Sequence, residues 1–451
     1  MDDDTQASGW AGAPYRHTLD WQNPDFYDLA AIEHEAERVF DICHGCRRCF
    51  NLCDSFPRLF DMVDAAPTGE LDSVDRKDYA KVVEACTLCD LCFMTKCPYV
   101  PPHEWAIDFP HLMLRYRAAE LKAGKSDRAG RELGRTDRNG KLASLVAPVA
   151  NWGSSCHNRL TRPILEAVAG IDRDAALPRF SFRTLTQQAL DAPHINEAAP
   201  GFGRKVVLYA TCFSEYNEPA IGLAAQAILA HNGVDVAVSY PGCCGMPQLE
   251  QGDIEDVAAK AKLVAAALKP YIEQGYRVIA LVPSCALMLK AEWPLILPDD
   301  PDIRLLSAHT SDISEYIVDI AKHEGLAPGL TPVEGGITLH IACHARAQNI
   351  GQKATELLKL LPDTKIDVIE RCSGHGGSWG VREGNFEIAL KVGKPVARTA
   401  VKQANRHIAS ECPLAATHIM QGIERIDGAP DPLPEALHPV QIFARAYGVM
   451  P

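Results

Sequence analysis

Two short cysteine runs near the start of the chain carry its clearest chemistry. The first is Cys43, Cys46, Cys49 and Cys53; the second is Cys86, Cys89, Cys92 and Cys97, followed by Pro98. Three cysteines at steps of three, with a fourth shortly after, is the spacing with which one peptide wraps an iron–sulfur cube. Two such runs imply two neighbouring [4Fe-4S] clusters, and hence a protein that moves electrons. The competing reading is zinc. A zinc ribbon uses paired C-x-x-C knuckles, four ligands in all, and leaves the third cysteine of each run unexplained.

In the bacterial ferredoxin pattern, C-x2-C-x2-C-x3-C-P, the fourth cysteine serves the other cluster. Residues 43–53 keep that spacing without the proline; residues 86–97 have the proline and one extra residue before the last cysteine. By that pattern cluster one takes Cys43, Cys46, Cys49 and Cys97, and cluster two takes Cys86, Cys89, Cys92 and Cys53. The exchange would also hold shut the long insert between the runs. Arg47 and Arg48 lie between ligands, where they raise the cluster potential, dock a partner or simply face solvent.

The elements that must position these thiols are helical. Leu29, Ile32, Ala36, Val39 and Phe40 share one face of a helix leading into Cys43, and Tyr79, Val82 and Val83 mark another leading into Cys86. Further along, the chain repeats itself. Cys212, Cys243 and Cys285 stand 131, 129 and 127 residues before Cys343, Cys372 and Cys412. Each of these cysteines closely follows an apolar run: 205–209, 234–240 and 278–282 in one copy, 337–341, 366–370 and 407–409 in the other. Such runs alternate with helical segments, as in 254–272, which predicts parallel α/β units. Ligands of open parallel sheets gather at the carboxyl ends of strands, so the cysteines of each copy should converge there. The first copy offers four thiols, Cys212, Cys243, Cys244 and Cys285. They suffice for a third iron–sulfur cluster, cubane or noncubane, or for zinc. The second offers Cys343, Cys372 and Cys412, with Ser373 in place of the paired cysteine. Either His344 or His375 completes that site, or the copy is degenerate and serves for packing.

The fold expected is therefore α+β and multidomain. A helical, ferredoxin-like two-cluster module spans 1–118, a helical linker 119–202, and two repeated α/β units 203–330 and 331–451. A length of 451 residues suits two to four domains. The net charge of −13 argues against nucleic acid or an anionic membrane surface as main partner. The acidic start, Met1-Asp2-Asp3-Asp4, lacks an export signal, no apolar run approaches a transmembrane segment, and no segment reads as an amphipathic anchor. These features predict a cytoplasmic protein, whose reduced cysteines are ligands rather than disulfides. Cys156 and His157 stand alone and read as buried core residues. The glycine-rich run 373–380 does not fit G-x-G-x-x-G, so no dinucleotide site is expected. Its glycines suit close backbone approach to a cluster or to a partner's cofactor.

The repeat Cys212…Cys243-Cys244-Gly245…Cys285 resembles the cysteine-rich CCG domain. That domain occurs in heterodisulfide reductase, in the iron–sulfur subunit of glycolate oxidase and in anaerobic glycerol-3-phosphate dehydrogenase. In the last two, as here, a two-cluster module precedes two CCG domains on one chain. The resemblance covers about 35–115 and 203–425. Cys46-Arg47-Arg48-Cys49-Phe50-Asn51-Leu52-Cys53 and Cys97-Pro98-Tyr99-Val100-Pro101 look more closely like a bacterial heterodisulfide reductase-related subgroup associated with a rubrerythrin-like protein. The resemblance implies an oxidoreductase component relaying electrons between a flavoprotein dehydrogenase or rubrerythrin-like partner and an acceptor such as quinone. It also implies peripheral contact with the inner face of the membrane through a complex. Disulfide-reducing members follow C…CC…C-x-x-C, and their CCG cysteines hold noncubane clusters. Here Met288 and Ala415 stand where that last cysteine would be. The departure favours a relay over the alternative, catalytic reduction of a disulfide or persulfide at Cys212, Cys243, Cys244 and Cys285.

Overall fold

The structure, a computed structural model, describes residues 14–125 and 127–450. The helix Leu29–Cys46 buries Ile32, Ala36, Val39 and Phe40, and Asp28 caps it by accepting the N–H groups of Ala30 and Ala31. It ends at Arg47, whose left-handed φ of 50° turns the chain directly after Cys46. The helix Ser55–Asp64 starts just beyond Cys53, and Tyr79–Ala85 delivers Cys86. Leu88 and Asp90 both hold positive φ, a strain of order 1 kcal/mol or more each for residues with a Cβ. A wide turn, Cys92–Lys96, then presents Cys97. Phe40, Phe56, Phe60, Tyr79 and Phe109 fill the space between these elements. The helix Phe109–Lys122 runs through position 118, so the character of the chain changes after Lys122 rather than at the expected edge.

Two four-stranded parallel sheets follow. β1 (Lys205–Tyr209), β2 (Asp235–Ser239), β3 (Arg277–Ala280) and β4 (Thr310–Asp312) lie in the order β2-β1-β3-β4. β5 (Ile337–His340), β6 (Ile366–Ile369), β7 (His407–Ser410) and β8 (Glu435–Leu437) repeat it as β6-β5-β7-β8. The registers match: Val206 pairs with Val236 and Arg277, and Ile337 with Ile366 and His407. The central strands bury side chains on both faces, as parallel sheets require. The units share a core: Val206, Leu208 and Ile279 join Ile337, Leu339 and Phe443 in one cluster. The helices Pro219–His231 and Pro439–Tyr447 pack together there.

Residues 128–188 form five short helices: Arg128–Gly134, Thr136–Leu145, Ala147–Ser154, Arg162–Ala169 and Leu185–Gln188. One expectation fails in this region. Cys156 and His157 are not core residues; the first is half-buried and the second exposed. They sit in a turn that Asn158 and Thr161 close by donating to the carbonyls of Trp152 and Gly153. The glycines of 373–380 meet this chain's own backbone and side chains. A Cβ on Gly374 would overlap the Ala389 carbonyl, one on Gly376 would press on Trp379 and Thr87, and one on Gly377 on Glu250. Among the described residues no helix is long and apolar enough to cross a membrane.

Candidate functional site

Each repeat cysteine stands at the carboxyl end of its strand. Cys212 opens the helix Cys212–Tyr216 after β1, Cys243 and Cys244 follow β2, and Cys285 lies in Pro283–Leu287 after β3. Cys343, Cys372 and Cys412 repeat these places after β5, β6 and β7. In the first copy the Sγ atoms of Cys212 and Cys243 are 3.8 Å apart, and those of Cys244 and Cys285 3.3 Å. Cys243, Cys244 and Cys285 are buried and Cys212 half-buried. Tyr209 lies among all four and donates its hydroxyl to the Gly242 carbonyl at 2.6 Å.

The N-terminal thiols form two sets that cut across the two runs. Burial pushes the Cys43 thiol up, and Cys97, Cys49 and Cys46 add to it. Burial raises Cys49 to about 12, reinforced by Cys97 and Cys46. Cys97, the last residue of the second run, therefore faces three residues of the first. Conversely, burial raises Cys53, and Cys89 and Cys86 add to that rise. Cys92 rises by burial, then through Cys89, Cys86, Cys53 and Cys49, so the two sets adjoin.

The second repeat adjoins the Cys53 set. After burial, the groups that raise Cys343 are Cys89, Cys372 and Cys412, and Cys89 in turn feels Cys372. Cys412, raised to about 11 chiefly by burial, also feels Cys285 of the first repeat. His344 donates to the Leu88 carbonyl at 3.1 Å, which ties it to the cysteine loop. Burial drives His375 down to about 3, helped by His418. Ser373 is buried, with its carbonyl pressed against Gly393. The Gly374 N–H reaches the Cys372 sulfur at 3.3 Å, across a turn that needs φ of 80°. Gly374→Ala should destabilise the protein by more than about 1 kcal/mol and expose Cys372. Denaturant unfolding with thiol labelling checks this; an unchanged midpoint would refute the role given to the turn.

The donor sets fit multinuclear iron–sulfur clusters. Buried thiols that raise one another ionise only against a strong local positive charge, and bound metal supplies it. All sixteen cysteines are free. Among the described residues no three His, Cys, Asp or Glu side chains are gathered tightly enough for one metal ion. Four sulfurs around a single zinc would be about 3.8 Å apart, at Zn–S of about 2.3 Å; in the first copy two sulfur pairs come that close, at 3.8 and 3.3 Å, and among the described residues no third donor joins either pair.

Several residues with no motif signature also shape these sites. The Thr136 hydroxyl donates to the Cys243 sulfur at 3.3 Å, and Asp137 accepts from the Cys243 N–H at 3.3 Å, from Lys260 at 3.2 Å and from the Tyr240 hydroxyl. Hydrogen bonds, first from Cys212, hold the Cys243 thiol below its usual range. Arg117 donates to the carbonyls of Val83, Cys86 and Glu250, which fixes the entry to the second run. In sequence a Thr-Asp pair reads only as a helix start.

The model of the CCG cysteine-rich domain family matches residues 206–290 and again 337–419. Among similar proteins, the C subunit of anaerobic glycerol-3-phosphate dehydrogenase from Escherichia coli K12 is 24% identical over 283 residues, 62% of this chain and 69% of that one. Lactate utilization protein A of Bacillus pumilus is 30% identical over 189 residues, 40% of this chain and 75% of that one. An uncharacterized iron–sulfur protein of Methanocaldococcus jannaschii is 28% identical over 224 residues, 49% and 42% of the two chains.

Proposed function

Since the chain belongs to the CCG cysteine-rich iron–sulfur family, we propose that it is the electron-transfer component of an oxidoreductase complex, with four thiol sets in series. The observation that carries this reading is their order. Cys43, Cys46, Cys49 and Cys97 adjoin Cys53, Cys86, Cys89 and Cys92 through Cys49 and Cys92. That second set adjoins Cys343 and Cys372. Cys412 then adjoins Cys285, and with it Cys212, Cys243 and Cys244.

In this reading the first two sets each hold a [4Fe-4S] cluster in a helical ferredoxin-like module, and Cys212, Cys243, Cys244 and Cys285 hold a third. Clusters so held supply one-electron chemistry, at potentials set by hydrogen bonds to the sulfurs and by exposure. The chain's own part is to bury the thiols, exclude water and fix their order. The Thr136 hydroxyl and the Gly245 N–H, at 3.5 Å, orient the Cys243 sulfur, and Tyr209 holds the carbonyl of the preceding Gly242. A flavoprotein or rubrerythrin-like protein would exchange electrons with one end, and a further acceptor such as quinone with the other. Burial of three of the four first-copy thiols favours this relay over disulfide reduction, which needs a substrate sulfur to reach them.

Metal analysis with electron paramagnetic resonance (EPR) on anaerobically purified protein tests the reading. About twelve irons per chain are expected, at four per cube. About eight would confine clusters to the N-terminal sets, and zinc without iron would overturn it. Turnover of a small disulfide by the isolated chain would move the function to the catalytic alternative.

A further inference from the structure

The helices between the cysteine regions are built with their apolar side outward. Of sixteen exposed large apolar side chains among the described residues, eight fall within the 27 residues 142–168. Leu145, Val149, Trp152, Leu160, Ile164 and Val168 are each at least 59% exposed. Val149 and Trp152 lie one turn apart on Ala147–Ser154 and Ile164 and Val168 one turn apart on Arg162–Ala169, while Leu145 ends the helix Thr136–Leu145 and Leu160 stands in the turn before Arg162. The inner side of the assembly is polar. The buried Arg162 guanidinium donates to the carbonyls of Ser154 at 3.0 Å, Arg173 at 3.0 Å and Ala175 at 2.6 Å, and staples the helices from within. An apolar face this dense on a water-soluble surface marks an interaction site.

Charge identifies what covers it. Residues 138–165 contain Arg138, Lys141, Arg159 and Arg162 and no carboxylate, in a chain whose net charge is −13. Lys141 and Arg159 are exposed among the apolar residues. Arg179 and Arg183 lie alongside and are exposed too; Asn151 binds Phe180 through both its amide and its carbonyl, at 2.9 and 2.7 Å. Of the acids on and beside these helices, Glu132 pairs with Arg138, Asp137 with Lys260 and Glu166 with Arg173, and none of them pairs with Lys141 or Arg159. An indole, branched aliphatic side chains and unopposed cations are the composition of a surface that lies in a bilayer interface and meets anionic headgroups. A second copy would bring like charges together.

We propose that helices 136–169 form a docking platform for an anionic lipid bilayer. The net charge of the chain hides this platform, because its exposed cations are local and the two acids on its helices, Asp137 and Glu166, are engaged by Lys260 and Arg173. The helix Thr136–Leu145 roots the platform at the Cys243 sulfur and spans about 15 Å, at a rise of about 1.5 Å per residue. Docking would therefore hold the Cys212, Cys243, Cys244 and Cys285 set close to the lipid surface. Only that last consequence rests on the function proposed above; docking needs no cluster.

Vesicle flotation of the full chain tests the proposal, with phosphatidylcholine vesicles compared with mixed phosphatidylcholine–phosphatidylglycerol vesicles. The protein should float with the anionic vesicles, at least tenfold less at 0.5 M than at 0.05 M salt, and lipids with brominated acyl chains should quench Trp152 emission. Leu145→Glu with Val149→Glu, and separately Lys141→Glu with Arg159→Glu, should each weaken flotation at least tenfold while iron content stays unchanged. W152F should lose most of the quenching. No flotation of the unaltered protein, or equal flotation of all variants, would overturn the proposal. So would a dimer in solution that the Leu145→Glu, Val149→Glu variant converts to monomer. Because iron content is read separately, loss of clusters with flotation intact would count against the proposed function alone.

Discussion

Cys53→Ser should erase the EPR signal of the second cluster and spare the first, although Cys53 stands in the first run. Cys97→Ser should do the reverse. Each variant should lose about four irons per chain, one cube's worth. The reason is spatial: Cys97 acts on Cys43 and Cys49, and Cys53 feels Cys89 and Cys86. Replacing either thiol leaves three sulfurs without a fourth donor, and serine is a poor substitute for a soft thiolate. Cys43→Ser and Cys89→Ser provide reference spectra for loss of the first and second cluster. If Cys53→Ser matched Cys43→Ser rather than Cys89→Ser, each run would hold its own cluster and the exchange would be wrong. The exchange has a structural consequence as well. Each cluster would cross-link both runs, so metal removal should loosen the whole 43–97 region rather than one loop.

Much of this architecture is legible in the sequence because the informative residues are chemically extreme. Cysteines at fixed steps, and strands ending in cysteines at matched offsets, leave few alternatives, and β1 to β3 and β5 to β7 lie close to their apolar runs. β4 and β8 escape such reading. Thr310-Ser311-Asp312 carries no apolar residue, yet all three are buried, and Asp312 ends the strand while capping the helix Ile313–His323. The same polar residues serve two elements, so neither shows a period. The helices of 136–169 fail differently. Helical spacing of apolar residues shows that a face exists but not whether it turns inward; Arg162, buried against carbonyls, decides that it turns outward. The order of the thiol sets is equally invisible, because it depends on how the repeats meet the N-terminal helices.

Arg16→Ala should cost about 3–5 kcal/mol in the step that separates the N-terminal region from the first repeat, the usual penalty for stripping the partner from buried charges. Arg16 binds Asp90 at 2.7 Å, Asp108 at 2.9 Å and Glu292 at 3.0 Å, over the ring of Phe93. Asp90 lies in the cysteine loop, Asp108 caps the helix Phe109–Lys122, and Glu292 follows Cys285 by seven residues, so one guanidinium joins three segments. Lysine has one compact charge and should restore only part of the loss. Burial alone would raise Glu292, but His111, 3.1 Å away, and Arg16 outweigh it and hold it at about 2. Burial and Arg16 push His111 down, yet Asp108 and Glu292 prevail and raise it above its usual 6.5. By linkage, Glu292, depressed in the fold, stabilises fully above about pH 4.5 and loses that contribution as pH falls toward 2. His111, raised in the fold, stabilises fully below about 6.5 and loses its contribution as pH rises through its folded value. This contact should therefore be firmest between about pH 4.5 and 6.5, and His111→Gln should flatten the alkaline arm while leaving the acid arm in place. Denaturant midpoints across pH, read beside iron content, check both variants. An Arg16→Ala protein with an unshifted midpoint would show that the three carboxylates find water or protons instead, and that this contact does not hold the cysteine loop against the first repeat.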